Sequence, residues 1–131
     1  MTMRDLYVVD THGLLWFLAA DPRLSKQAKE AILEAEAGGC DLVISTIVMA
    51  EAISVIEKRK LPLTIEQLVQ AIERVPAFHI VPFDMQVFRE MLKLPASLEL
   101  HDRAIAATAR VYGGRVITRD SARQEVIDTL W

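Results

Sequence analysis

Leu6-Tyr7-Val8-Val9-Asp10-Thr11 is a short apolar, β-branched run that stops on a carboxylate and a hydroxyl just before a helical pattern begins. The four residues from Leu6 to Val9 do not alternate, which is how a strand covered on both faces by helices reads. In such sheets the ligand crevice lies at the carboxyl ends of the strands, so Asp10 stands where a ligand would be met. Asp10 and Thr11 are also favoured N-cap types for a helix running from about Gly13 to Ala20. On this stretch alone, cap and site both stay open.

The 131 residues around that run suffice for one domain with a sizeable core. Hydrophobic residues make up 52% and charged ones 25%, which excludes disordered and fibrous classes. The single Cys40 cannot form an internal disulfide and reads as a small packing residue. The longest apolar region, Leu42 to Ile56, is broken by Ser45, Thr46, Glu51 and Ser54 and falls short of the roughly 20 apolar residues of a membrane span. Asp5 and Asp10 fall where a signal peptide needs apolar residues, so the expected location is cytoplasmic, with no membrane partner. A net charge of −3 makes the chain as a whole no trap for nucleic acid, so a phosphate-bearing partner has to be recruited locally, through a metal or a basic rim.

Along the chain, strands and helices alternate. Asp21-Pro22 ends the first helix, and a second runs from Ser25 to about Ala37 before Gly38-Gly39. Asp41 to Ser45 reads as a second buried strand, followed by a helix from Ile47 to Lys60. Thr64 opens a fourth helix, with Glu66 and Gln67 in its first turn. Phe78 to Phe83 holds a third strand, Asp84 begins a helix to about Leu94, and an alanine-rich helix runs from about Asp102 to Tyr112. Arg115 to Thr118 is a fourth strand and Val126-Ile127 a short fifth. The pattern predicts a single three-layer α/β/α domain over residues 1–131, with a parallel sheet of four to five strands.

Three further acids matter by position. Glu51 interrupts a helix that is apolar almost all round, and burying an unpaired carboxylate is expensive, so it faces a polar cavity, meets a partner such as arginine, or stands at a helix edge reaching water. Asp102 starts the alanine-rich helix, where a cap role competes with a ligand role. Asp120 lies just past the end of the strand Arg115 to Thr118, where a turn residue is the plain alternative.

The set says more than its members. Asp10 and Asp120 leave parallel strands at the same edge, Asp102 enters a helix that precedes one of those strands, and Glu51 lies in a helix that follows another. Four carboxylates converging on one crevice repel one another unless a cation intervenes. Mg²⁺ or Mn²⁺ takes oxygen ligands, is held by one or two carboxylates and keeps several waters, and can activate water against a phosphodiester. Thr11 and Thr118 offer hydroxyls that orient carboxylates or water. Arg103, Arg119 and Arg123 flank the acids, either to meet a phosphate backbone or to pair with the acids. Lys58-Arg59-Lys60 reads first as a solvated helix end and second as part of an RNA-binding rim. His12 and His101 adjoin two acids, but three scattered histidines without ligand spacing argue against zinc.

Taken in order, Val9-Asp10-Thr11-His12 with Leu14-Leu15-Trp16, Ile44-Ser45 with Glu51 and Glu57-Lys58, His101-Asp102-Arg103-Ala104-Ile105-Ala106-Ala107-Thr108-Ala109, Ile117-Thr118-Arg119-Asp120 and the terminal Leu130-Trp131 resemble a PIN-domain protein of the VapC toxin type. The motifs are short, but their order and spacing span essentially the full chain. The resemblance implies a Mg²⁺- or Mn²⁺-dependent ribonuclease, the toxin half of a toxin–antitoxin pair, which forms homodimers and is silenced by a cognate antitoxin covering the acidic groove. It carries the family's acidic positions onto Asp10, Glu51, Asp102 and Asp120, with Thr118 as the supporting hydroxyl. Ser121 and Ala122 follow Asp120 where some members carry a further acid, which bears on a second metal and not on the first.

Other classes fit less well. An aspartyl phosphotransferase of the haloacid-dehalogenase type wants a second Asp two residues after the first, and His12 stands there. A phosphoacceptor receiver domain wants paired acids at the first strand and a lysine near the last. No Gly-rich phosphate loop is present. A catalytically silent PIN-like module binding RNA or protein is the remaining alternative, which the intact acid set disfavours.

Overall fold

The computed structural model describes residues 4–119 and 126–131. Its centre is β1 (Leu6–Val9), flanked by β2 (Asp41–Ser45) and β4 (Arg115–Ile117), with β3 (Phe78–Val81) and β5 (Thr129–Leu130) at the edges. All pairings are parallel, in the order β3-β2-β1-β4-β5. Val8 pairs with Val43 on one side and Val116 on the other, and Val9 with Ile117. Val8, Val9, Leu42, Ile44, Val116 and Ile117 have no solvent exposure, so the unalternating β1 is indeed covered on both faces.

The helices α1 (Thr11–Leu18), α2 (Lys26–Glu36), α3 (Thr46–Arg59), α4 (Ile65–Glu73), α5 (Met85–Met91) and α6 (Leu100–Tyr112) complete the α/β/α layers. Their starts follow local capping chemistry. Asp10, Ser25, Ser45, Thr64 and Asp84 each accept a hydrogen bond from an amide in the following first turn, and Thr64 and Gln67 exchange both bonds of a capping box. Ala104, Ala106 and Ala107 are fully buried against Val87, Met91 and Leu94, while Ile105 and Ala109 join the core where α6 meets β1 and β4.

Four expectations shift. The last strand lies at Thr129–Leu130 rather than Val126-Ile127, because the pairing that matters is Ile117 with Leu130. Helix α6 begins two residues early, at Leu100, with Glu99 in the N-cap position making no side-chain cap bond, so Asp102 sits inside the first turn and is not the cap. Helix α3 is less enclosed than its apolar sequence suggests: Val48, Ala52 and Ile56 are buried, while Ile53 is 43% exposed. Arg103 meets no acid. Its Nε and Nη2 donate to the carbonyls of Met91 and Leu94 at 2.9 and 3.2 Å, satisfying the orphan end of α5.

Candidate active site

The site is built where β1 and β4 run out side by side. The β1 strand delivers Asp10, whose Oδ1 accepts from the Gly13 amide at 2.8 Å and whose Oδ2 accepts from Thr118 Oγ1 at 2.7 Å. Asp10 is therefore cap and site wall at once: one oxygen starts α1 while the side chain lines the crevice. Gly13 is required by this close approach. A Cβ there would stand 2.9 Å from Asp10 Oδ1 and 3.1 Å from Val9 Cγ2.

The α3 helix brings Glu51 in from the β2 side. Its Oε1 accepts from Thr11 Oγ1 at 3.1 Å, and its Oε2 lies 2.8 Å from His101 Nδ1. The α6 helix brings Asp102, only 9% exposed, in a first turn whose amides favour negative charge. Asp10, Glu51 and Asp102 share a cavity of about 140 Å³ with Thr11 and His101. It adjoins a larger cavity of about 480 Å³, on whose walls Asp10 and Asp102 also stand, with Thr118. Asp120 and Arg123 lie outside the described residues.

Thr118 and Thr11 thus each hold one acid, Thr118 across 108 residues of sequence and Thr11 across 40. The sequence placed these hydroxyls beside the acids but could not tell which acid each would hold. Glu99, His101 as a partner of Glu51, and the pocket position of Arg23 went unread, whereas Arg59, read second as part of an RNA-binding rim, lines the larger cavity. Glu99 carried a local signal, lying next to His101-Asp102. Arg23 carried none, because only the folded chain brings it beside Asp10.

The far wall of the larger cavity is cationic and aromatic. Arg23 and Arg119 place their guanidinium carbons 4.7 and 4.9 Å from the Trp16 ring, and His12 and Trp131 meet the same ring at centroid distances of 5.6 and 5.9 Å. Arg23 is gripped by Asp21 through two bonds of 2.7 and 3.1 Å, which hold the Asp21 carboxyl down at about 2.

The donor chemistry fits a hard divalent cation. The converging groups are carboxylate and hydroxyl oxygens, and their supporting amide, hydroxyl and imidazole donors fix ligand orientation from outside. Among the described residues no three His, Cys, Asp or Glu side chains close into a cluster of metal ligands. Among the described residues no helix is long and apolar enough to cross a membrane.

A PIN domain family model matches residues 7–128. No curated protein sequence matches the chain. Among solved structures, the chain is similar to VapBC2 from Rickettsia felis bound to a DNA fragment from its promoter, at 17% identity over 95% of this chain and 96% of that one, with a TM-score of 0.67. It is similar to DNA-bound VapBC from Salmonella typhimurium at 18% identity over 98% of both chains, TM-score 0.68. Mycobacterium tuberculosis VapC20, a toxin that cleaves the sarcin-ricin loop, aligns at 17% identity over 91% of this chain and 93% of that one, TM-score 0.64. At such identities the likeness is one of fold.

Proposed function

The chain belongs to the PIN-domain family, and from that premise we propose that it is a divalent-metal-dependent endoribonuclease, the toxin half of a toxin–antitoxin pair. The observation that carries the reading is the Asp10 carboxylate, fixed by Gly13 and Thr118 at the end of the central strand and sharing one crevice with Glu51 and Asp102. Similarity in fold to VapBC complexes and to a ribosomal-RNA-cleaving toxin supports it.

In this reading Asp10 and Asp102 hold Mg²⁺ or Mn²⁺, with Glu51 and Asp120 completing the acid set directly or through water. The cation supplies charge stabilisation for the phosphodiester and a more acidic water. The chain's own part is placement. Thr118 and the Gly13 amide keep both Asp10 oxygens oriented, Thr11 and His101 do the same for Glu51, and the first turn of α6 stabilises ionised Asp102. Residues 1–131 act as one PIN-like domain in the cytoplasm, as a homodimer, with a cognate antitoxin covering the acid groove.

The test is cleavage of a panel of RNAs by chelator-stripped, partner-free protein, including a sarcin-ricin-loop hairpin as named for the Mycobacterium relative. Cleavage should need Mg²⁺ or Mn²⁺, stop with EDTA, and fall on the order of 100-fold or more in Asp10→Asn. Cleavage that survives EDTA, or an Asp10→Asn protein as active as wild type, defeats the reading.

A further inference from the structure

The hydrolytic reading leaves one wall of the larger cavity unused. Besides Asp10 and Asp102 that cavity is lined by Arg23, Arg59, Arg119 and Trp131. Three arginines line this cavity together with three acids, Asp10, Glu99 and Asp102, so cations gather locally in a chain of net charge −3. Trp16 is the pillar of this wall: its indole is 6% exposed, with the Arg23 and Arg119 guanidiniums stacked against it. Arg23 is held a second time by Asp21.

Arg59 and Arg119 differ from Arg23, since among the described residues neither has a carboxylate within ion-pair distance. Two of the acids already have partners of other kinds. Asp10 is bonded by Gly13 and Thr118, and Glu51 is bonded by Thr11 and His101. Two exposed guanidiniums, one of them stacked on Trp16, lining one cavity with the half-buried Trp131 indole make a combination that takes an anion with an attached flat ring. Trp131 is the ring with room, meeting Trp16 edge-on at 64°, whereas Trp16 is covered by the arginines.

We infer that this wall is a single-nucleotide subsite for unpaired RNA, in which Arg59 and Arg119 hold a phosphate neighbouring the scissile one and Trp131 stacks the attached base. The cavity of about 480 Å³ lies in the range of about 300–1,000 Å³ that encloses one small-molecule-sized group. A base within a duplex has its faces already stacked and cannot use the indole, so the subsite selects loops and single strands. The inference rests on the ribonuclease reading for the placement of the strand across the acids.

The test uses a fluorescein-labelled, unstructured RNA octamer of mixed sequence, titrated into full-length Asp10→Asn protein by anisotropy so that binding is read without cleavage. Arg59→Ala and Arg119→Ala should each weaken binding about 3- to 10-fold and each lower the slope of log affinity against log salt by about 0.7. Trp131→Ala should weaken it roughly 5- to 100-fold at unchanged salt slope, and Trp131→Phe should retain most of the affinity. A duplex of the same sequence should compete at least about tenfold less well. If Trp131→Ala fails to fold, Arg59→Ala, at an exposed helix end, and Arg119→Ala decide the matter. The subsite is overturned if the parent does not bind the octamer, if the variants bind it within about twofold of the parent at equal slope, or if the duplex competes equally. Binding changes of the expected kind in a protein that cleaves nothing with any metal leave the subsite standing and remove the nuclease. Cleavage by Asp10-intact protein that the three alanine substitutions leave untouched does the reverse.

Discussion

Thr118 Oγ1 donates to Asp10 Oδ2 at 2.7 Å, joining the carboxyl ends of β4 and β1, and the hydroxyl that does so is only 3% exposed. Thr118→Val keeps the shape and strand propensity while removing the donor. Loss of a hydrogen bond to a charged group costs about 1.5–3 kcal/mol, and loss of a ligand's orienting partner costs about 10- to 100-fold in metal affinity. Thr118→Val should therefore show both a lowered unfolding midpoint and a weakened Mn²⁺ isotherm, whereas Thr118→Ser should restore most of the affinity. A valine variant that binds Mn²⁺ as wild type does would show that Asp10 needs no orientation from β4.

Gly13→Ala separates stability from site geometry. The helix gains propensity worth up to about 1 kcal/mol from alanine, while the new Cβ at 2.9 Å pushes on Asp10 Oδ1. The expected outcome is a melting temperature within a few degrees of wild type together with a metal response reduced at least about tenfold. Calorimetry of Mn²⁺ binding beside a thermal melt measures both, and an unchanged metal response would mean that the carboxylate tolerates the displacement.

Metal addition should stabilise the folded protein through the acids themselves. At ten times its dissociation constant, a cation bound only to the native state adds about 1.4 kcal/mol, roughly 4–8 °C for a chain of this size. Wild type should rise by that amount with Mg²⁺ or Mn²⁺ and Asp10→Asn should not. Equal responses from the two proteins would place the ion elsewhere.

Alkaline stability has a separate origin, in Cys40. Its thiol has no solvent exposure, lies 3.6 Å from the Ala31 carbonyl, and is pushed by burial up to about 11 from an ordinary 9.0. Between those values the unfolded chain has released the proton and the folded chain still holds it, so the contribution is complete below about 9 and is lost as pH rises towards 11. Melting temperatures from pH 8 to 11 should fall less steeply in Cys40→Ala than in wild type. At pH 8, iodoacetamide should label wild type only after unfolding.

The fold was legible because its strongest signals are local. The unalternating run at Val8-Val9, the caps at Ser25 and Thr64 and the alanine series of α6 state strand, helix start and close packing without reference to the rest of the chain. The last strand was misplaced because two residues carry no periodicity, and only pairing with β4 selects Thr129–Leu130 over Val126-Ile127. Strand polarity put Asp10 at the crevice, and the order of the helices around β1 and β4 brought Glu51 of α3 and Asp102 of α6 to it. Which hydroxyl would serve which acid did not follow, because side-chain reach across 108 and 40 residues is a tertiary fact. Arg103 shows the converse error: adjacency to Asp102 in sequence suggested a phosphate or acid partner, while helical geometry turned it to the carbonyls ending α5.

The sheet order also sets a timetable. The central strand, β1, is made first, yet one of its two neighbours, β4, is made more than a hundred residues later. A nascent chain that has emerged only through α5 has β1, β2 and β3 but neither Asp102 nor Thr118, and one edge of β1 lies open. The pocket therefore cannot assemble before β4 is made, and closure of the sheet around β1 coincides with completion of the site.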